Sequence, residues 1–239
     1  MLLLRLPGVY TPDADTHLLI DTVLAAGLPP DARVLDIGTG TGRIALALKN
    51  AGAATVDAID ISLRAALTAR LNSFVNRAPV RVRRGDLLGR SIGTFDVIVA
   101  NPPYVPCSTG TPGPHSRARA WDAGRDGREV LDRICRDAPQ HLSERGSLWL
   151  VHSALSRPAR TLELLREAGL SAAVVAERDI PFGPVLRSRA DWLRDEGLLD
   201  DNSVSERIVV IRGEVVAQEA PRRDRPADFP LPAGSSGGR

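Results

Sequence analysis

Lysine is almost missing from this chain. Lys49 is the only one, so the 31 basic residues are nearly all arginine. Cysteine is also scarce: Cys107 and Cys135 stand far apart with no paired motif, which excludes a disulfide scaffold or a zinc ribbon and fits a reducing, cytoplasmic setting. Three Trp, two Tyr and four Phe leave little material for a base-stacking surface. Nor is there an excess of one charge. The 31 basic residues face 29 acidic ones for a net +2, which argues against a protein whose main role is to coat nucleic acid. No apolar run reaches the length of a membrane-spanning helix. Met1 to Leu6 is apolar but short, contains Arg5 and meets Pro7-Gly8 at once, unlike a secretory signal.

What remains is ample for a core. Hydrophobic residues make up 43% of the 239, enough for one compact domain or two small ones. No internal repeat is visible. Strand-length apolar runs alternate with amphipathic stretches, the pattern of an α/β protein with a mainly parallel sheet. Helices are expected over Thr16 to Ala26, Gly42 to Asn50, Leu63 to Val75, Glu129 to His141 and Pro158 to Ala168. Strands are expected over Arg33 to Ile37, Thr55 to Ile59, Val80 to Arg83, Phe95 to Ala100, Ser147 to Val151, Ala172 to Ala176 and Arg207 to Ile211. Pro102 to Asp126 reads as a long irregular loop, and a loop of that length inside a domain is usually functional or disordered. Residues 1–30 form an arm and first helix, 31–215 the main domain. The segment 216–239, rich in Pro, Arg and Gly from Pro221 onward, is expected to be a disordered tail because it cannot bury enough apolar area.

Four features carry chemistry. In VLDIGTGTG, Val34 to Gly42, a strand delivers Asp36 and then Gly38, Gly40 and Gly42 ahead of a helix. Glycines there permit a tight turn and let a ligand lie against bare backbone. The spacing is not the dinucleotide G-x-G-x-x-G, and no Gly-Lys-Ser/Thr ending makes it a phosphate loop. Asp60, followed by Ile61, ends the second strand, where a carboxylate can accept both hydroxyls of a ribose. A helix N-cap is the alternative, shared with Ser62. Asp86-Leu87 follows the third strand; the acid can take an adenine amino group while Leu87 covers the ring, or the acid can simply be a turn residue after Gly85. Asn101-Pro102-Pro103-Tyr104 follows the fourth strand directly. The two prolines fix the backbone and remove two N–H donors. The Asn101 amide oxygen and the Pro102 carbonyl can then accept both protons of a planar –NH2 group, with the Tyr104 ring against its flat face.

Residues 33–104 resemble a class I S-adenosylmethionine-dependent methyltransferase with an amino-methylating N-P-P-Y signature. Pro7-Gly8-Val9-Tyr10-Thr11-Pro12 and Asp15-Thr16 resemble the stretch before the first helix of HemK-type glutamine methyltransferases. Ala120 to Val130 resembles the segment after N-P-P-Y in their short, eukaryotic-type branch. The resemblance implies a Rossmann-like, seven-stranded sheet with an antiparallel last strand and helices on both faces. It implies S-adenosyl-L-methionine as cofactor, with Asp36, Gly38 and Gly40 at the methionine part and Thr16 closing over it. Asp60 and Ile61 would lie at the ribose, and Asp86 and Leu87 at the adenine. Asn101, Pro102, Pro103 and Tyr104 would hold the acceptor, Asn101 also bordering the cofactor. No metal is implied. The implied acceptor is the glutamine of a Gly-Gly-Gln motif in a translation release factor. Bacterial members carry an extra N-terminal helical domain, whereas about 30 residues precede the first strand here. The short members work with a small activator protein.

The implied reaction is direct methyl transfer to a weakly nucleophilic nitrogen, with no His, Cys or Lys placed as a base. His115 reads as a loop residue and Cys107 as packing. The loop, with Pro106, Gly110, Pro112, Gly113 and Pro114, is a candidate substrate lid. Its Arg117, Arg119 and Trp121 either touch a protein substrate or cover the sheet edge. Rival readings are methylation of an exocyclic amine in DNA or RNA, of a small molecule or peptide natural product, and a cofactor-binding partner subunit without catalysis.

Overall fold

The β-branched runs become a seven-stranded sheet in the order β3-β2-β1-β4-β5-β7-β6. The strands are β1 (Arg33–Ile37), β2 (Thr55–Asp60), β3 (Arg81–Arg84), β4 (Phe95–Ala100), β5 (Leu142–Ser153), β6 (Leu170–Pro181) and β7 (Ser205–Val215). The helices are α1 (Ala14–Ala26), α2 (Arg43–Asn50), α3 (Leu63–Val75), α4 (Glu129–Asp137), α5 (Pro158–Glu167) and α6 (Pro184–Asp195). This computed structural model describes residues 1–86, 93–108 and 116–216. Leu87, the loop tip with Gly110, Pro112, Gly113, Pro114 and His115, and the tail 217–239 lie outside the described residues, as do the side chains of Arg117 and Arg119.

β1 pairs in parallel with both β2 and β4, and β4 with β5. β7 runs antiparallel between β5 and β6. The chain therefore steps outward from β1 to β3, then returns to place β4 beside β1. That reversal opens a crevice at the carboxyl ends of β1 and β4, the usual binding place of open α/β sheets. The register sets Ile37 opposite Ala100, so the glycine turn after β1 and Asn101 after β4 leave the sheet side by side.

Alternation along each strand builds two apolar layers. Val34, Val97, Val99, Trp149, Val151, Ile208 and Val210 face one way, toward α1, α2, α3 and α6. Leu35, Ile37, Ile98, Leu148, Leu150, Val209 and Ile211 face the other, toward α4 and α5. A strand buried on both faces is apolar along its buried positions, which is why β4 reads FDVIVA, with Asp96 at its one half-buried position.

The structure departs from the sequence expectation in several places. β5 begins at Leu142 rather than Ser147, β6 runs from Leu170 to Pro181 rather than over Ala172 to Ala176, and β7 extends from Ser205 to Val215. Residues 184–195 form α6, a helix the pattern did not announce. The expected helix to His141 ends at Asp137 and passes through a 3-10 turn, Pro139–His141. The loop after Tyr104 is not irregular throughout. Its limbs meet in a parallel bridge between Val105 and Asp122, next to a 3-10 turn over Arg117–Ala120. Among the described residues, no helix is long and apolar enough to cross a membrane.

Candidate active site

The turn from Gly38 to Gly42 is built on left-handed backbone: φ is +70° at Gly38, +56° at Gly40 and +82° at Gly42. Two reasons for glycine operate within it. A Cβ on Gly42 would press on Ala69 at 3.2 Å, so that glycine lets α2 and α3 approach. A Cβ on Gly38 would meet nothing within 4 Å, and one on Gly40 only a carbonyl at 4.0 Å, so these two border open space at the crevice.

Asp36 braces the turn from beneath. It is wholly buried, and its Oδ2 accepts from Thr39 Oγ1 at 2.6 Å and from Ala45 N at 3.1 Å. Its Oδ1 has no hydrogen-bond partner among the described residues. Burial pushes the carboxyl up to about 7 against the pull of the Thr39 and Ala45 bonds, with nearby Asp60 adding to the rise.

Asp60 reaches across to the turn: Oδ2 accepts from Gly40 N at 2.9 Å and Oδ1 from Ser62 N at 2.8 Å. The N-cap of α3 is Ser62, whose hydroxyl accepts from Ala65 N, so capping is not the task of Asp60. Ile61 beside it is exposed. Asp86 lies just past β3, exposed and paired at 3.2 Å with Arg133 of α4. An acidic residue thus stands at the end of each strand on this side of the crevice. The open backbone at Gly38 and Gly40, the unpartnered Asp36 Oδ1 and this row of acids fit a nucleoside with a small charged appendage.

On the β4 side, Asn101 is half-buried and Pro102 buried. The Asn101 Nδ2 donates to Asp15 Oδ2 at 3.0 Å and to Thr16 Oγ1 at 2.9 Å. Tyr104 is buried, and its hydroxyl donates to Asp15 Oδ2 at 3.0 Å. Burial, then the charge of Asp15, raises the Tyr104 phenol well above its usual value, so it stays protonated. The Tyr104 carbonyl accepts from Ser156 Oγ at 2.6 Å.

The sequence reading named Asp15 only as part of a motif. It emerges as a hub in the first turn of α1, where the positive end of the helix dipole favours a carboxylate. Tyr10 also donates to it, at 3.1 and 3.0 Å to its two oxygens. Glu206, at the start of β7, was not named at all. Burial lifts its carboxyl to about 7, a Ser153 hydrogen bond opposes the rise and Asp15 reinforces it. The available signal was that both tyrosines of the chain, Tyr10 and Tyr104, fall in motifs, as if sharing a buried acceptor.

Beyond Tyr104 the loop is pinned at its base. Val105 N donates to Trp121 O, Ala123 N to Val105 O and Cys107 N to Gly124 O. Arg189 of α6 pairs with buried Asp122 at 2.6 Å and donates to Pro106 O at 2.9 Å. Trp121 is half-buried and packs against the core. Beneath lies a buried network in which Arg128 donates to the carbonyls of Ser156 and Arg157 and to Thr161 Oγ1, itself bonded to His152 Nε2. Burial pushes His152 down to about 4 and Cys135 up to about 12, so His152 is neutral and Cys135 a thiol at neutral pH.

Comparison with known proteins places this geometry. Residues 1–111 match the family model "Methyltransferase small domain". Human methyltransferase HEMK2 is 34% identical over 178 residues, covering 71% of this chain and 83% of its own. A Methanocaldococcus jannaschii protein with the provisional name protein N5-glutamine methyltransferase is 33% identical over 176 residues, covering 74% of this chain and 88% of its own. The solved E. cuniculi Mtq2–Trm112 complex, described as responsible for methylation of the eRF1 translation termination factor, superposes with a TM-score of 0.62 at 29% identity. It covers 87% of this chain and 99% of that one. These relatives align along nearly their whole length with a chain whose sheet reversal brings an Asn-Pro-Pro-Tyr turn beside a glycine-rich one, and the chain belongs to the HemK family of protein N5-glutamine methyltransferases.

Proposed function

We propose that this chain transfers a methyl group from S-adenosyl-L-methionine to the side-chain amide nitrogen of a glutamine, the glutamine of a Gly-Gly-Gln motif in a translation release factor. The observation that carries this reading is the Asn101 amide, fixed at the end of β4 by two acceptors and adjacent to the open glycine turn. Relatives named for glutamine methylation support it.

In this reading Gly38, Gly40, Thr16 and the free Oδ1 of Asp36 hold the methionine part. Asp60 and Ile61 would hold the ribose, and Asp86 the adenine. The cofactor supplies a methyl group on a sulfonium, an electrophile that needs no metal or base. Asn101 Oδ1 and the Pro102 carbonyl accept the two protons of the acceptor amide, and Pro103 and Tyr104 wall its flat face. As the carbon–nitrogen bond forms and the carbon–sulfur bond breaks, positive charge grows on nitrogen. Those two oxygens stabilise it, and a proton then leaves to water. An amide nitrogen is a poor nucleophile, so positioning must supply most of the rate; oriented reactants reach effective molarities of about 10⁵–10⁸ M.

A companion subunit fits this chain too. Leu63, Leu67, Leu71 and Phe74 form an exposed apolar stripe on α3, with Met1 and Leu2 of the arm also exposed. Among the described residues β3 pairs only with β2, with no strand on its other edge. A stripe of this kind on a helix beside an open strand edge marks a docking surface, and the Mtq2 neighbour was solved with a partner.

The test is incubation of the protein with labelled S-adenosylmethionine and, separately, a Gly-Gly-Gln release factor, duplex and single-stranded DNA, and RNA, with Asn101→Ala as control. Each arm is run with and without a Trm112-type protein. Label is expected on the glutamine and is lost in the variant. Label on nucleic acid and none on release factor would overturn the reading.

A further inference from the structure

An amide side chain has two ends of nearly equal shape, and packing alone does not choose between them. For Asn101 the choice is critical. An acceptor nitrogen presents protons, and only an oxygen can receive them; an inverted Asn101 would set its own –NH2 against that of the substrate. The structure contains the group that decides.

Asp15 is buried at 3% exposure, and its carboxylate lies 86 residues away in sequence from the amide it contacts. An ionised carboxylate accepts and cannot donate. Every neighbour within reach must therefore turn an N–H or O–H toward it. Tyr10 and Tyr104 do so with their hydroxyls, Thr16 with its backbone N–H, and Asn101 with Nδ2. The second acceptor of Asn101 is the Thr16 hydroxyl, which by itself serves either amide orientation because a hydroxyl both donates and accepts. Here that freedom is removed, since Thr16 Oγ1 directs its proton to Asp15 Oδ1 at 3.2 Å and leaves a lone pair for Asn101. One carboxylate fixes the amide directly, fixes it again through Thr16, and holds the Tyr104 ring by its hydroxyl.

We propose that Asp15 is the positioning residue of the acceptor site, its carboxylate locking the Asn101 amide with Oδ1 turned away from α1 and toward the methyl acceptor. This rests on the reading of the site as one that methylates a nitrogen bearing two protons. Asp15 touches neither cofactor nor acceptor in it and acts through Asn101, Thr16 and Tyr104.

Asp15→Asn is the informative variant. It keeps the shape of the side chain but supplies a donor of its own, so the Asn101 amide is released to invert. The assay is steady-state methylation of a Gly-Gly-Gln release factor by the full chain. The expected result is a kcat lower by about 10–100-fold, the scale of losing one aligned polar group at a reacting centre. The KM for release factor and the affinity for S-adenosylhomocysteine change by less than kcat does, because Pro102, Gly38, Gly40 and Asp60, none of which bonds to Asp15, still hold both ligands. An unchanged kcat overturns the proposal. A preserved kcat with a worsened KM or cofactor affinity also overturns it, since Asp15 would then hold a ligand rather than Asn101. If the unaltered protein methylates a nucleic-acid amine instead of release factor, the glutamine reading fails alone, and the same kcat comparison on that amine still decides the role of Asp15. Should Asp15→Asn not fold, hydrogen exchange in the unaltered protein gives the answer. The side-chain N–H pair of Asn101, identified by its loss in Asn101→Ala, is expected to exchange at least about tenfold more slowly than that of exposed Asn202. Equal rates overturn the proposal.

Discussion

Replacing Gly127 with alanine probes how firmly the Asn-Pro-Pro-Tyr turn is held from behind. Gly127 has φ +70°, and a Cβ built there would lie 2.2 Å from the Tyr104 carbonyl oxygen, 3.1 Å from the carbonyl carbon and 2.7 Å from Ser156 Oγ. The two nearest obstacles are backbone and a buried hydroxyl, with no flexible chain end to move aside. Three costs add. A non-glycine residue in left-handed backbone costs about 1–2 kcal/mol. The Tyr104 carbonyl must shift, breaking its hydrogen bond from Ser156, and an unsatisfied buried acceptor costs about 1–3 kcal/mol. The remaining overlap adds strain of about 1–3 kcal/mol, typical of overpacking. A loss of about 3 kcal/mol or more is expected, read as a lower urea midpoint at constant slope. Gly169→Ala is the control: its φ is +85° but a Cβ there meets nothing within 4 Å, so only the backbone cost applies. Gly127→Ala should also lose most methyl transfer, because the displaced carbonyl belongs to the residue three after Asn101. If both alanines cost the same and Gly127→Ala keeps its kcat, the account of this turn is wrong.

Glu206→Gln should change how stability depends on pH. The folded carboxyl sits near 7, above its usual 4.5, so folding takes up a proton between those values. The stability this gives is fully present below pH 4.5 and is lost as pH rises through 7, at about 1.4 kcal/mol per pH unit. His152 works in the opposite sense between pH 4 and 6.5, its folded value lying below the usual one. The comparison of variant with unaltered protein therefore carries the test, and superimposable melting profiles from pH 5 to 8 would count against the argument. Asp60→Ala should weaken S-adenosylhomocysteine binding by about 10–100-fold, the worth of one charged hydrogen-bonding group, as measured by calorimetry; unchanged affinity would remove Asp60 from the ribose site. Arg189→Ala strands the buried Asp122 carboxylate, at about 3–5 kcal/mol, and should hasten proteolysis between residues 105 and 122. Unaltered cleavage would mean that α6 does not clamp the loop.

The sheet interior was legible because both of its faces are buried, forcing runs such as RVLDI and FDVIVA whose ends match the expected strands residue for residue. Its far edge was not. β6 extends to Pro181 through Glu177, Arg178 and Asp179, which pair with β7 by backbone alone and carry the composition of a loop. α6 was missed because only Leu186 and Leu193 of its twelve residues are buried, too few for a visible period. At the site, residues that flank strand ends in fixed motifs could be named from sequence. Asp15 and Glu206 could not be joined to them, because their association depends on α1 and β7 converging on the end of β4. Asp36 was expected at the ligand, yet most of its bonding secures the turn from below.

The last strand enters the sheet between two earlier ones, β5 and β6. Synthesis from the N-terminus must therefore produce the whole of β5 and β6 before the strand that joins them exists. Until Val215 has been made, both carry an unsatisfied row of backbone groups, the kind of open edge that recruits other chains. Glu206 arrives with that same strand, so the acidic cluster around Asn101 is completed only when the sheet closes. A nascent or truncated chain holding residues 33–104 would display the glycine turn and the Asn-Pro-Pro-Tyr signature while lacking the environment that surrounds them. Completion of the cluster around Asn101 is thus timed to the end of folding, and a partly made chain carries the motif without the surroundings that orient it.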